Sequence, residues 1–264
     1  MDIHALIKAI EETAPPCFQA SWDCSGIQVA STKTAITHLG LALDPTPSQI
    51  LRAVEQGCDA ILTHHPLSLK PTLPHTLNAY HASLRTLFCH DVLLYAAHTS
   101  LDTNLTGPAA WLADALALQD RCALEPMGDD TLRGFGLVGM LPDPIPNDLF
   151  IQKLIDLVPE KTATICGTLP TTVQRVAYCT GSGASLLPLA EHAKADVYVS
   201  GDIKYHAALD AGIAIIDVGH HSLEETMMEV FSQRLRKQLA GITVTFFASQ
   251  SPFRLLRQEI QEDL

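Results

Sequence analysis

Four short stretches of this chain carry side chains that can hold metal ions: His64-His65, His98 with Asp102, Asp202, and His220 with Glu224. Imidazole and carboxylate donors together suit divalent ions such as zinc, iron, manganese or nickel. Two adjacent histidines on an extended backbone point in opposite directions. His64 and His65 therefore suit two neighbouring ions better than one shared ion. A carboxylate can bridge such a pair, and Asp102 and Glu224 are both available. His220 and Glu224 are four apart, so one helical turn brings them onto one face. Each piece alone is weak, because a packed or surface histidine pair is the commoner reason for His-His. The three clusters together favour a metal site.

The surrounding pattern says what must position them. Ile3 to Glu12 reads as a helix stopped by Pro15 and Pro16. A strand over 36–44 leads through Pro45-Thr46-Pro47-Ser48 into a helix ending near Gln56, and Asp59 to Thr63 forms a second strand. His64 and His65 fall at its end. This is a β-α-β unit, which implies parallel pairing. The same order returns as strand 173–181, a Gly181-Ser182-Gly183 turn, a helix, and strand Val197 to Ser200 before Gly201-Asp202. Asp59 aligns with Asp196 without a gap. Further on, 95–102 and 217–225 each read as an apolar strand followed by His-x-Ser-Leu-acid, pairing His98 with His220 and Asp102 with Glu224. Helices are expected over Pro108–Leu118 and Glu225–Leu239. The chain thus reads as a diverged internal duplication, with an N-terminal α/β half over 1–127 and a C-terminal half over 128–264. The C-terminal segment is free to pack back on the first half. The stretch 123–170, rich in Pro and Gly, links or extends the halves, with a strand over Gly134–Met140. Ligands of open α/β sheets bind beyond the carboxyl ends of the strands, which is where the candidate residues lie.

Composition sets further bounds. The 264 residues carry 47% hydrophobic and 17% charged residues, enough to bury a sizeable core. No apolar run approaches the ~20 residues needed to cross a bilayer, and the N-terminus lacks the pattern of a signal peptide. Seven cysteines stand singly with no C-x-x-C pair, which argues against a thiolate zinc site and suits a reducing compartment. The expected location is the cytoplasm. The formal charge of −12 repels phosphate backbones, so neither nucleic acid nor membrane is an expected partner.

The blocks His64-His65-Pro66, His98-Thr99-Ser100-Leu101-Asp102, Gly201-Asp202-Ile203-Lys204-Tyr205-His206 and Gly219-His220-His221-Ser222-Leu223-Glu224 resemble, in order, the signature blocks of the NIF3-like proteins, also named GTP cyclohydrolase 1 type 2. Trp22-Asp23 with Gly26 and Gln28 resembles that family's N-terminal block. The resemblance implies two pseudo-repeated α/β halves with mostly parallel sheets, a dinuclear metal centre between them, and a ring-shaped homohexamer. Carried over by position, the ligands are His64, His65, Asp102, His220 and Glu224, with His98 a supporting group beside them. Cys24, Asp202, Tyr205 and His221 stand where the family usually has Asn, Glu, His and Tyr. These departures bear on any substrate role of the third block. Asp23 and Asp44 are candidate site-lining acids. His4, His38, His75, His81, His90 and His192 read as surface or packing residues, and His206 and His221 as structural ones.

Three functions fit. The first is a metal-dependent hydrolase acting on a small nucleotide, with GTP suggested by resemblance alone. The second is a non-enzymatic metal-binding or scaffold protein. The third is a metal-dependent phosphoesterase. No P-loop is present, and Lys70, Lys204 and Arg254 are the few cations expected near the site.

Overall fold

The computed structural model describes residues 1–254. Helix α1 (Ile3–Thr13) is capped by the Asp2 carboxylate, which accepts the His4 and Ala5 N–H groups. Strands β1 (Gly26–Val29) and β2 (His38–Ala42) follow, then α2 (Pro47–Glu55), whose start is set by Pro47 and a Thr46 cap. Next come β3 (Ala60–Thr63), α3 (Ala79–His90), β4 (Leu93–Ala96) and the single turn α4 (Thr99–Asp102). Helix α5 (Trp111–Ala115) precedes β5 (Gln119–Pro126), β6 (Gly134–Pro146) and α6 (Asn147–Leu157). The chain continues through β7 (Thr164–Cys166), β8 (Thr172–Ser182), α7 (Leu187–His192), β9 (Val197–Gly201) and α8 (Tyr205–Asp210). It then forms β10 (Ala214–Asp217), α9 (His220–Gln238) and β11 (Thr243–Phe246).

Two sheets result. The first has the order β1-β4-β3-β2-β11 and is parallel except at β1. The second has the order β5-β6-β8-β9-β10-β7. Its β8, β9 and β10 are parallel, and its other neighbours are antiparallel. That mixture arises because 119–146 folds back as a long hairpin rather than forming a loose connection. The central strands β3, β4 and β9 are buried along their whole length, as their apolar runs require when both faces are covered. The second sheet is built from 119–217 alone, whereas the first joins β1 to β4 with β11 from far along the chain.

Two helices differ from the sequence reading. The one expected over Pro108–Leu118 is a short turn followed by α5, because Ala117 takes a left-handed φ of 53° and ends it. The last helix begins at His220, not at Glu225. Helix α9 packs against β2 and β11 of one sheet and β8 and β9 of the other. Leu223, Met227, Phe231 and Leu235 are fully buried at one-turn spacing and form its core-facing stripe. Each such side chain contributes about 1.5–3 kcal/mol on burial. One apolar core includes Leu41 and Tyr95 of the first sheet with Tyr178 and Val199 of the second. Among the described residues no helix is long and apolar enough to cross a membrane.

A hydrogen-bonding detail recurs in the two sheets. The Asp59 carboxylate accepts the Thr37 N–H at 2.8 Å, and its backbone N–H donates to the His38 carbonyl. The Asp196 carboxylate accepts the Gln174 and Arg175 N–H groups, and its backbone N–H donates to the Arg175 carbonyl.

Candidate metal centre

The candidate side chains stand at strand ends or on the helical turn that follows. His64 and His65 follow β3, His98 follows β4, Asp102 ends α4, Asp202 follows β9, and His220 opens α9. Because β3 and β4 are neighbours, their ends bring His64, His65 and His98 together, with ring centroids 5.1–5.5 Å apart. Helix α9 carries His220 to the same place, 5.5 Å from His65. The structure thus gathers His64, His65, His98, Asp102, His220 and Glu224 in one cluster.

Every ring in it is held by its Nδ1. His64 Nδ1–H donates to the Ala97 carbonyl at 2.8 Å. His65 meets Asp44 at 2.7 Å, His98 meets Asp23 at 2.8 Å, and His220 meets Asp202 at 2.8 Å. In a neutral ring an acceptor on Nδ1 fixes the tautomer that leaves Nε2 as a lone pair, the usual arrangement behind a metal-binding histidine. Asp202 holds its ring from a left-handed φ of 57°, which aspartate tolerates better than most residues. Asp102 is steadied by the Thr180 hydroxyl, which donates to its Oδ1 at 2.9 Å.

Glu224 sits at the centre and divides its two oxygens. Its Oε1 lies 3.4 Å from His64 Nε2, and its Oε2 lies 3.1 Å from His65 Nε2 and 2.7 Å from His220 Nε2. Asp102 Oδ2 approaches His64 Nε2 from the other side at 3.8 Å. His64 is fully buried, yet among the described residues its Nε2 has no aligned hydrogen-bond partner. A buried nitrogen without a partner is rare in proteins. Two donor groups share Glu224: His64 with Asp102, and His65 with His220. Within each group the ligand atoms lie within 4.8 Å of one another, so each can hold a metal ion. His64, His65 and His98 form a third such group. The residues present therefore fit divalent metal.

The local electrostatics follow. Burial alone raises the Glu224 carboxyl, but the imidazoles of His64, His220 and His65 outweigh it and hold the group well below its usual range. Burial and the neighbouring Glu224 charge push Asp102 up, against the pull of His64. Burial disfavours a charged His65, yet Asp44 and Glu224 carry it up to about 10. His220 rises to about 9 in the same way, against burial, on Glu224 and Asp202. Asp23 is held well below the usual range, against burial, by His98 and Thr99.

A cavity of about 980 Å³ opens beside the cluster, with His65, His220, Asp44 and Asp202 on its wall. Of Lys70, Lys204 and Arg254, Arg254 alone lines it. His221 also lines it, bonding Glu160 at 2.5 Å and the Ser249 hydroxyl at 2.9 Å. His206 stacks edge-on against Tyr205, and His38 bonds Thr245. Thr180 escaped sequence reasoning, since a lone threonine in a strand carries no signal of what it faces.

A family profile described as Duf34/NIF3 (NGG1p interacting factor 3) matches residues 1–252. A Clostridium perfringens protein named GTP cyclohydrolase 1 type 2 homolog is 29% identical, covering 97% of this chain and 100% of its own. A Methanocaldococcus jannaschii protein of the same name is 30% identical over 90% of this chain and 96% of its own. The crystal structure of a Staphylococcus aureus hypothetical protein superposes with a TM-score of 0.87 at 26% identity, covering 97% of this chain and 99% of that one. The chain belongs to the Duf34/NIF3 family.

Proposed function

We propose that this protein is a dinuclear metal-dependent hydrolase of the GTP cyclohydrolase 1 type 2 kind. The observation that carries the reading is the convergence of Nδ1-anchored imidazoles on one buried, shared carboxylate. His64, Asp102 and Glu224 would hold one ion, and His65, His220 and Glu224 the other. Bound divalent ions supply Lewis acidity toward water and toward a carbonyl or phosphoryl oxygen. The chain's own contribution is positional. Asp44, Asp202 and the Ala97 carbonyl set the rings, Thr180 sets Asp102, and the His98–Asp23 pair stands ready to hold a proton beside the cluster. The names of the relatives point to GTP as the substrate to try first.

The reading takes the two halves, dividing near residue 127, as diverged copies with the site between them. The matching roles of Asp59 and Asp196 support that view. It places the protein in the cytoplasm as a homohexamer, which light scattering would test. Elemental analysis of purified protein tests the centre: about two ions per chain are expected, with a clear loss in Asp102→Ala. No bound metal after reconstitution would sink the proposal. With metal confirmed, opening of the GTP imidazole ring, lost in His64→Ala, separates a cyclohydrolase from a phosphoesterase and from a metal-binding scaffold.

A further inference from the structure

Helix α9 starts without a side-chain cap. Gly219 stands at its N-cap with a φ of 86°. Among the described residues, the N–H groups of His221 and Ser222 meet no acceptor outside the helix. Both residues line the cavity beside the metal cluster. The helix is 19 residues long. Its first turn therefore carries a partial positive charge of about half a unit and favours anions.

An independent observation points the same way. Ser222 is fully buried, lines the same cavity, and its hydroxyl has no hydrogen-bond partner among the described residues. The hydroxyl turns back toward the open start of the helix. A β-carbon placed on Gly219 would meet one atom within 4 Å, the Ser222 Oγ at 3.8 Å. Buried hydroxyls are nearly always paired.

We propose that the start of α9 is an oxyanion-binding subsite, in which the Ser222 hydroxyl and the His221 and Ser222 N–H groups bind one carboxylate or phosphate group of a small molecule in the cavity. The surroundings limit the ligand to a single such group. Asp217 already accepts the Gly219 N–H at 2.9 Å, and Asp44, Asp202 and Glu160 share the cavity wall. Besides the imidazoles of His65, His220 and His221, Arg254 is the one basic side chain among the described residues that line it. A triphosphate would meet more carboxylates than cations. His220, one residue away, is at the cluster, so an anchored oxyanion would hold the rest of the ligand against it. That last clause rests on the function proposed above. The subsite itself does not.

Calorimetric titration of the metal-free, full-length protein tests it, with inorganic phosphate in one arm and acetate in the other. Leaving metal out keeps the anion from binding an ion instead, so the result stands whether or not the metal reading survives. Saturable binding is expected in at least one arm, and the arm that binds identifies the phosphate or carboxylate class. Ser222→Ala should weaken it about fivefold, the share of one hydrogen bond, and Ser222→Thr should restore part of the loss. Because the hydroxyl has no partner among the described residues, Ser222→Ala should leave Tm unchanged without anion and should blunt the Tm rise that anion gives the wild type. Absence of binding in both arms overturns the proposal, as does equal affinity in Ser222→Ala. A fall in Tm of Ser222→Ala without anion also overturns it, since the hydroxyl would then serve the fold.

Discussion

At the scale of single residues, the centre depends as much on the acids behind the histidines as on the histidines. Asp44 touches only His65 within the cluster, at 2.7 Å. Asp44→Asn should therefore keep the fold and weaken metal binding by about 10–100-fold, the usual cost of losing a carboxylate behind a ligand histidine. Competition against a chromophoric chelator measures it, and unchanged affinity would show that His65 needs no such support. Protons compete for the same nitrogens. In the metal-free chain His65 and His220 titrate near 10 and 9, above the ordinary 6.5. Both are protonated at neutral pH, so metal uptake as proposed would displace protons. Apparent metal affinity should then rise from pH 7 to about 9–10 and level off. The raised values also mean that these groups stabilise the metal-free fold fully below about 6.5 and lose that contribution as pH rises through 9–10. Melting the metal-free protein across that range should show Tm falling, while a flat profile would mean the histidines are not held as described.

At the scale of elements, the site is built from strand ends plus one long helix, and its tolerance is set where they touch. Gly181, near the end of strand β8, has a φ of 60°. A β-carbon there would come within 2.0 Å of Glu224 Oε1. Gly181→Ala should push Glu224 aside and abolish metal binding while far-ultraviolet circular dichroism stays native, and metal retention in this variant would refute the tight approach. Much of this layer was legible beforehand. The β-α-β runs around Asp59 and Asp196 announced themselves through apolar strands and turn residues. The two His-x-Ser-Leu-acid stretches pointed to His98 and His220, and the structure brings both to the cluster. What stayed hidden is instructive. Pro108–Leu118 has a helical pattern, but the left-handed turn at Ala117 is a tertiary outcome that alanine does not advertise. The start of α9 at His220 was obscured by Gly219, which reads as a breaker yet serves as the cap. The paired roles of Asp44 with His65 and Asp202 with His220 join residues far apart in sequence, and no local pattern encodes them.

At the scale of the whole molecule, α9 is the common element. It packs on strands of both sheets, and its first turn carries His220 and Glu224. The Trp111 indole donates to the Leu223 carbonyl at 3.0 Å and ties that turn to α5. Strand β11 then runs parallel to β2, pairing Val244 with Leu39 and Phe246 with Leu41. A chain ending at Ala240 would leave the β2 edge bare, and such edges template association. Light scattering of that truncated chain should show aggregation where the full chain does not, and a well-behaved product would mean β11 is dispensable. The sequence allowed the C-terminal segment to return to the first half. The choice of β2 as its partner emerges only when α9 spans the distance.

The placement of β11 also bears on how the protein is made. A chain emerging from the ribosome delivers β1 to β4 early, but the strand that completes their sheet arrives after nearly everything else. Strands β1 to β4 must wait with an open flank at β2 until β11 is made. The first sheet therefore cannot be completed before α9 has been made, unlike the sheet of a contiguous domain, which folds as a unit during synthesis. The His64-His65 pair, made early, meets Glu224 only in the final stage, which keeps a partly synthesised chain from assembling the complete cluster.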